Sequence, residues 1–128
     1  MTVVLDSHGL TMLAKSRARL EELRRRGEWP AVLPAVVLTE CLTGDYRRDY
    51  HENRVLRTCD VKSVDEPLAR SAALLRSQEV ARRATSAVDA IVVALADFVG
   101  GATVLTSDPA DLRALARHTV HRVDVAPA

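Results

Sequence analysis

Four carboxylates, Asp6, Glu40, Asp89 and Asp108, carry the clearest chemical signal in this sequence. Asp6 directly follows the apolar run Val3-Val4-Leu5, and Asp108 follows Val104-Leu105-Thr106-Ser107. If both runs are strands of a parallel sheet, both acids emerge at its carboxyl edge, where open α/β sheets build their sites. Glu40 and Asp89 fall in helical patterns beside apolar residues, Val36 and Val37 in one case and Val92, Val93 and Ala96 in the other. No Lys or Arg lies three or four residues from either acid. An ionised carboxylate among apolar neighbours is expensive unless it is paired or bound to a metal. Oxygen donors, with no His or Cys at metal-binding spacing, suit a hard cation such as Mg²⁺ or Mn²⁺ rather than zinc. The four acids are therefore expected to form a catalytic metal centre, with Asp6, Asp89 and Asp108 as ligands.

Each acid also has a simpler role open to it. Asp6 suits the N-cap of a helix beginning near His8. Asp108-Pro109-Ala110-Asp111 has the form of an N-cap, a first-turn proline and an acidic third residue, which would make Asp111 a favourable charge on the helix dipole or an outer-sphere ligand. Glu40 could stand exposed at a helix end ahead of Thr43-Gly44, and Asp89 could be a dipole-favoured acid in a first turn. Capping and metal binding are compatible, because a cap uses one carboxylate oxygen and leaves the other.

The elements that must position these residues alternate along the chain. Strand-length apolar runs occur at 3–6, 32–33, 61–64, 103–106 and 120–125. Between them, helical patterns cover 11–26 as one helix or two, 34–43, 46–57, 66–77, 86–99 and 109–117, punctuated by Gly27, Gly44 and Gly100-Gly101. This alternation predicts an α/β three-layer sandwich with a mainly parallel five-stranded sheet flanked by helices.

At 128 residues and 48% hydrophobic content, one domain spanning 1–128 is expected. The 18 basic residues nearly cancel the 17 acidic ones, and only Lys15 and Lys62 are lysines, so a generally basic nucleic-acid surface is excluded. Any grip on a polyanion must come from local arginines. Arg82 and Arg83, which precede the Asp89 helix, are the candidates for such a grip on a nucleic acid, although a solvated charged turn explains them equally well. Arg24-Arg25-Arg26 reads as a solvated helix end. His8 is close enough in sequence to Asp6 to donate a proton, but suits a helix start better. His51, His118 and His121 have no companions at catalytic spacing. Cys41 and Cys59 are too few for a disulfide framework or a zinc site and read as small buried hydrophobes. The chain opens on an apolar strand without a charged leader and holds no run of about 18 apolar residues, so a cytoplasmic protein without a membrane span is expected.

Taken in order, Val3-Val4-Leu5-Asp6-Ser7, Glu40 in a helix, Asp89-Ala90-Ile91-Val92-Val93-Ala94 and Leu105-Thr106-Ser107-Asp108 resemble the PIN-domain nucleases, and among them the VapC-like toxins of toxin–antitoxin systems. The resemblance covers essentially the whole chain and implies a PIN-like fold, metal-dependent hydrolysis of RNA, a homodimer and a cognate antitoxin that silences the site. Ser7 and Ser107 match positions where that family carries a hydroxyl beside a catalytic acid, and so count as supporting residues. The segment 82–86 departs from the family, which favours glycine or asparagine there. On this reading Asp6 bridges the metal, Asp89 and Asp108 bind it directly or through water, and Glu40 orients a metal-bound water or acts as base. A PIN-like RNA-processing nuclease outside a toxin–antitoxin system, or a PIN-like module kept for interaction alone, shares the same features. A phosphorelay receiver fits poorly, because Ser7 follows Asp6 where a second acid belongs and no lysine follows Lys62.

Overall fold

The computed structural model describes residues 1–79 and 85–128. Its elements run β1 (Val3–Leu5), α1 (Ser7–Lys15), α2 (Arg17–Arg25), β2 (Val32–Pro34), a 3₁₀ turn (Ala35–Val37), α3 (Leu38–Cys41), α4 (Tyr50–Leu56), β3 (Asp60–Lys62), α5 (Glu66–Gln78), α6 (Ala87–Phe98), β4 (Ala102–Thr106), α7 (Pro109–Ala116) and β5 (Val123–Pro127). The five strands form one sheet in the order β3-β2-β1-β4-β5, and every adjacent pair is parallel. The expected sandwich is thus present, and its sheet is wholly parallel.

Helix α6 packs across β2, β1, β4 and β5 and carries α5 and α7 beside it. Helix α1 packs on β1 and β4 with α3 and α4 against it, so the two central strands are covered from both sides. Val3, Val4 and Leu5 are accordingly all buried, as are Val104 and Leu105. A strand covered on both faces has no polar alternation, which is why these two read as continuous apolar runs. The edge strand β3 is exposed throughout, and Lys62 pairs with Asp60 at 3.0 Å along it, a charged edge that discourages pairing with another sheet.

Several boundaries differ from expectation. Ser16 ends α1 and its hydroxyl caps α2, making two helices where the pattern allowed one or two. Helix α1 begins at Ser7, where the Asp6 cap places it and ahead of the helical pattern at residue 11, and Gly9 lies inside it. A Cβ at Gly9 would collide with the carbonyl oxygen of Leu105. The glycine therefore lets the first turn of α1 settle directly on β4. Helix α4 starts at Tyr50 rather than 46, because the buried carboxylate of Asp49 accepts from the amides of Thr43 and Gly44 and the Thr43 hydroxyl at 2.9–3.0 Å, and the chain turns there. Strand β5 starts at Val123 instead of residue 120. Among the described residues no helix is long and apolar enough to cross a membrane.

Candidate active site

The strand order reverses between β1 and β4, so the crevice beyond their carboxyl ends is the expected position of a site in a sheet of this kind. Asp6 stands there at the end of β1, with only 5% of its surface exposed. Its Oδ1 accepts from the Gly9 amide at 2.7 Å, so it is the N-cap of α1. The capping role and the site position coincide, and capping occupies one oxygen of the carboxylate.

Asp89 lies half-buried in the first turn of α6, where the Ser86 hydroxyl caps the helix by accepting from the Asp89 amide at 2.9 Å. Desolvation pushes its carboxyl above the ordinary range. A hydrogen bond from Ser86 pulls the other way, while the charges of Asp6, Asp111 and Glu40 push it further up. Three carboxylates from three other segments thus bear on Asp89, and the group is acidic in sum. None of Asp6, Glu40, Asp89, Asp108 and Asp111 makes an ion pair among the described residues.

Two expectations need adjusting. Glu40 is exposed on the short α3, which buries none of its residues, so the cost of burial does not apply to it. Asp108 occupies the N-cap position of α7, but its side chain makes no capping bond and it too is exposed. Its amide instead donates to Thr106 Oγ1 at 3.1 Å. The residue of this segment that acts on Asp89 is Asp111, one turn further along α7 and half-buried. The spacing of three between Asp108 and Asp111, which puts both on one side of the helix start, was the available signal. Thr106, fully buried at the end of β4, is a second hydroxyl that sequence reasoning passed over in favour of the exposed Ser107. Ser7 is half-buried at the start of α1, and His8 is exposed. Arg82 and Arg83 lie outside the described residues.

The five carboxylates are all-oxygen donors drawn from β1, α3, α6 and the start of α7, a set whose chemistry fits a hard divalent ion. Among the described residues no three His, Cys, Asp or Glu side chains are gathered tightly enough to hold one. Asp6, Glu40 and Asp111 reach Asp89 through their charge rather than being gathered with it in ligating contact.

The remaining charged groups behave differently. Asp97 Oδ1 and Oδ2 accept from the amides of His121 and Val120 at 2.8 and 3.1 Å, and Oδ1 lies 2.9 Å from the His121 ring. Desolvation acts to raise its carboxyl, but these bonds and the His121 charge outweigh it, and the net shift is downward. Buried Glu79 lies 3.2 Å from His118 and 3.7 Å from Arg117. These histidines have structural partners, not catalytic ones. Cys41 and Cys59 are free and half-buried rather than buried; desolvation above all pushes their thiols up to about 11 and about 12, so neither is a reactive thiolate.

No family model matches the sequence, and no curated protein matches it. Solved structures do match over the full fold. A chain of VapBC-1 from nontypeable Haemophilus influenzae superposes with a TM-score of 0.69 at 12% identity, covering 99% of this chain and 98% of that one. A chain of DNA-bound VapBC from Salmonella typhimurium gives 0.65 at 18% identity, covering 98% of each chain. A chain of a toxin–antitoxin complex from Klebsiella pneumoniae gives 0.63 at 19%, covering 85% and 88%. At such identities the likeness establishes a shared fold, and the anticipated PIN-like architecture is what these chains have in common with this one.

Proposed function

We propose that this protein is a PIN-domain endoribonuclease acting as the toxin of a toxin–antitoxin pair. One observation supports it above the others: half-buried Asp89, raised chiefly by desolvation, also feels the charges of Asp6, Asp111 and Glu40, none of them ion-paired among the described residues, at the switch point of a fold shared with VapBC chains. A desolvated acid raised further by neighbouring acids is a candidate place for a cation. Asp6, Asp89 and Asp108 would hold Mg²⁺ or Mn²⁺, with Asp111, whose charge bears on Asp89, as the alternative to Asp108. When bound, such an ion activates water and neutralises charge on the phosphoryl group. Of the chain's own groups, Asp6 would offer the oxygen that does not cap α1, Glu40 would orient the attacking water from its exposed position on α3, and Thr106, Ser7 and Ser107 would support the neighbouring acids.

The partners follow from the same reading. VapBC and the Klebsiella toxin–antitoxin structure are complexes, which supports a cognate antitoxin here, and a homodimer is proposed with it. The wide placement of the acids favours one alternative, a non-catalytic interaction module of the same fold. Incubating the purified chain with single-stranded RNA in Mg²⁺, in Mn²⁺ and in EDTA separates the two. Cleavage that requires the ion supports the nuclease; no cleavage in any condition, or full cleavage in EDTA, removes it.

A further inference from the structure

The chain has only two tyrosines, and both lie in one short stretch, Tyr46-Arg47-Arg48-Asp49-Tyr50-His51-Glu52-Asn53-Arg54-Val55-Leu56-Arg57. Tyr46 is 74% exposed and Tyr50 50%, and neither fills a core position. The Arg54 guanidinium lies over the Tyr50 ring, 5.8 Å from its centre, and His51 meets the same ring edge-on at 5.3 Å. Arg47, Arg48, Arg54 and Arg57 are exposed, and none makes an ion pair among the described residues.

The acids of this stretch are turned to other work. Asp49 is buried beneath Thr43 and Gly44, Asp45 accepts from the amides of Arg47 and Arg48, and the half-buried Glu52 acts on Cys41. What faces solvent over residues 46–57 is therefore the two tyrosines, His51 and four arginines, with exposed Asp45 just ahead of them and Glu52 half-buried. Behind it, between α4 and the α1–α2 pair, lies a groove of about 420 Å³ whose lining includes Lys15, Arg17, Arg24, His51 and Arg54, with Glu21 as its acid. The stretch is tied to the segment that follows Glu40, since the Asp49 carboxylate accepts from the amides of Thr43 and Gly44.

We propose that the exposed face of residues 46–57, continued into the α1–α2–α4 groove, is the track that holds single-stranded RNA beside the carboxylates. Unpaired bases stack on aromatic rings and on guanidinium planes, while arginines without partners take phosphates, and this face offers both within one helix and its leading turn. An acidic polypeptide is the rival occupant, since tyrosine and arginine also serve protein interfaces, and it is an outcome of the test. The proposal rests on the nuclease reading, because it supplies the substrate grip for that site.

The test is the binding of a fluorescent single-stranded RNA to the full chain in EDTA, by anisotropy over a range of salt, with thermal melts to show that each variant is folded. Tyr50→Ala should weaken binding about 5- to 20-fold, and Tyr50→Phe should restore it, because stacking needs the ring and not the hydroxyl. Arg54→Ala with Arg57→Ala should lower the slope of log affinity against log salt by roughly 0.7 for each phosphate that is no longer neutralised. Wild-type binding that is indifferent to all of these variants overturns the track and leaves the nuclease reading standing. Failure of wild type to bind RNA, together with failure to cleave it in Mg²⁺, overturns both. Polyglutamate that binds more tightly than RNA and responds to the same variants assigns the face to an acidic protein, and the proposal falls.

Discussion

Helix α6 carries an aspartate at each end, and the two live in opposite surroundings. Asp97, in the last turn, collects two backbone amides and the His121 ring, and its carboxyl is held below the ordinary range. Asp89, in the first turn, is desolvated, and although it has one hydroxyl and a favourable helix start, burial first and three other carboxylates second drive its carboxyl up. Since the helix dipole favours an anion at the start and disfavours one at the end, the dipole alone would order them the other way. Specific partners decide instead. The comparison separates an acid that holds the fold together from an acid that the fold tolerates at a cost, and the second kind is the mark of a site.

Exchanging each for asparagine should break the comparison most visibly in catalysis. Asp89→Asn removes a proposed ligand and should lower metal-dependent RNA cleavage by about 100-fold or more. Asp97→Asn should leave the cleavage rate unchanged at temperatures well below its melting point. Rates measured side by side at saturating Mg²⁺ check this, and equal losses in the two variants would mean that Asp89 acts only through stability.

How much of this was open to the sequence depends on what each residue answers to. The strands β1 and β4 could be read because both faces are covered and every side chain had to be apolar, and Asp6 and Asp108 were located by following them. The start of α1 reads two ways from the sequence, behind an Asp6 cap near His8 or at residue 11, because Gly9 is a poor helix former whose presence makes sense only once Leu105 is seen against it. The late start of β5 was hidden, because 89%-exposed Val120 and His121 are tied back to Asp97, a bond across 23 and 24 residues. Asp111 reads from the sequence as dipole decoration or as an outer-sphere ligand, and the choice depends on how α6 and α7 meet. Periodicity reports which face of an element is buried, and says nothing of which two elements touch.

Stability should sharpen the same comparison, first at the partnered end. Asp97→Asn keeps the shape but loses the charge and one acceptor, leaving the 118–122 turn with weaker bonds to α6. A loss of about 1–2 kcal/mol in urea denaturation at neutral pH is expected. Because the folded carboxyl is lowered, its stabilisation is present above the unfolded value, near 3.9, and is lost as pH falls through the folded one. The gap between wild type and variant should therefore close in acid, and a gap that is the same at low and neutral pH would mean that shape, not charge, is what Asp97 supplies.

At the crowded end the sign reverses and the effect is smallest. The Asp89 carboxyl is raised even with the Ser86 bond acting in its favour, so its ionised form opposes folding. An asparagine in its place would still accept from Ser86 while removing both the desolvated charge and the repulsion from Asp6, Asp111 and Glu40. Some of this gain is returned, because a first-turn anion contributes about 0.3–1 kcal/mol through the helix dipole. The net expectation in EDTA is that Asp89→Asn melts at a higher temperature than wild type, with a stabilisation of roughly 0.5–1 kcal/mol. Since the folded carboxyl is raised, the wild type is free of this burden below the unfolded value and takes it on as pH rises through the folded one, so the advantage of the variant should appear only as pH is raised. Adding Mg²⁺ should then reverse the order, because an ion that binds the folded chain stabilises it by mass action and the variant has one ligand fewer. A variant less stable than wild type in EDTA, or one that gains as much from Mg²⁺, would show that Asp89 is a helix-start acid like any other and that the crowd around it is not a site.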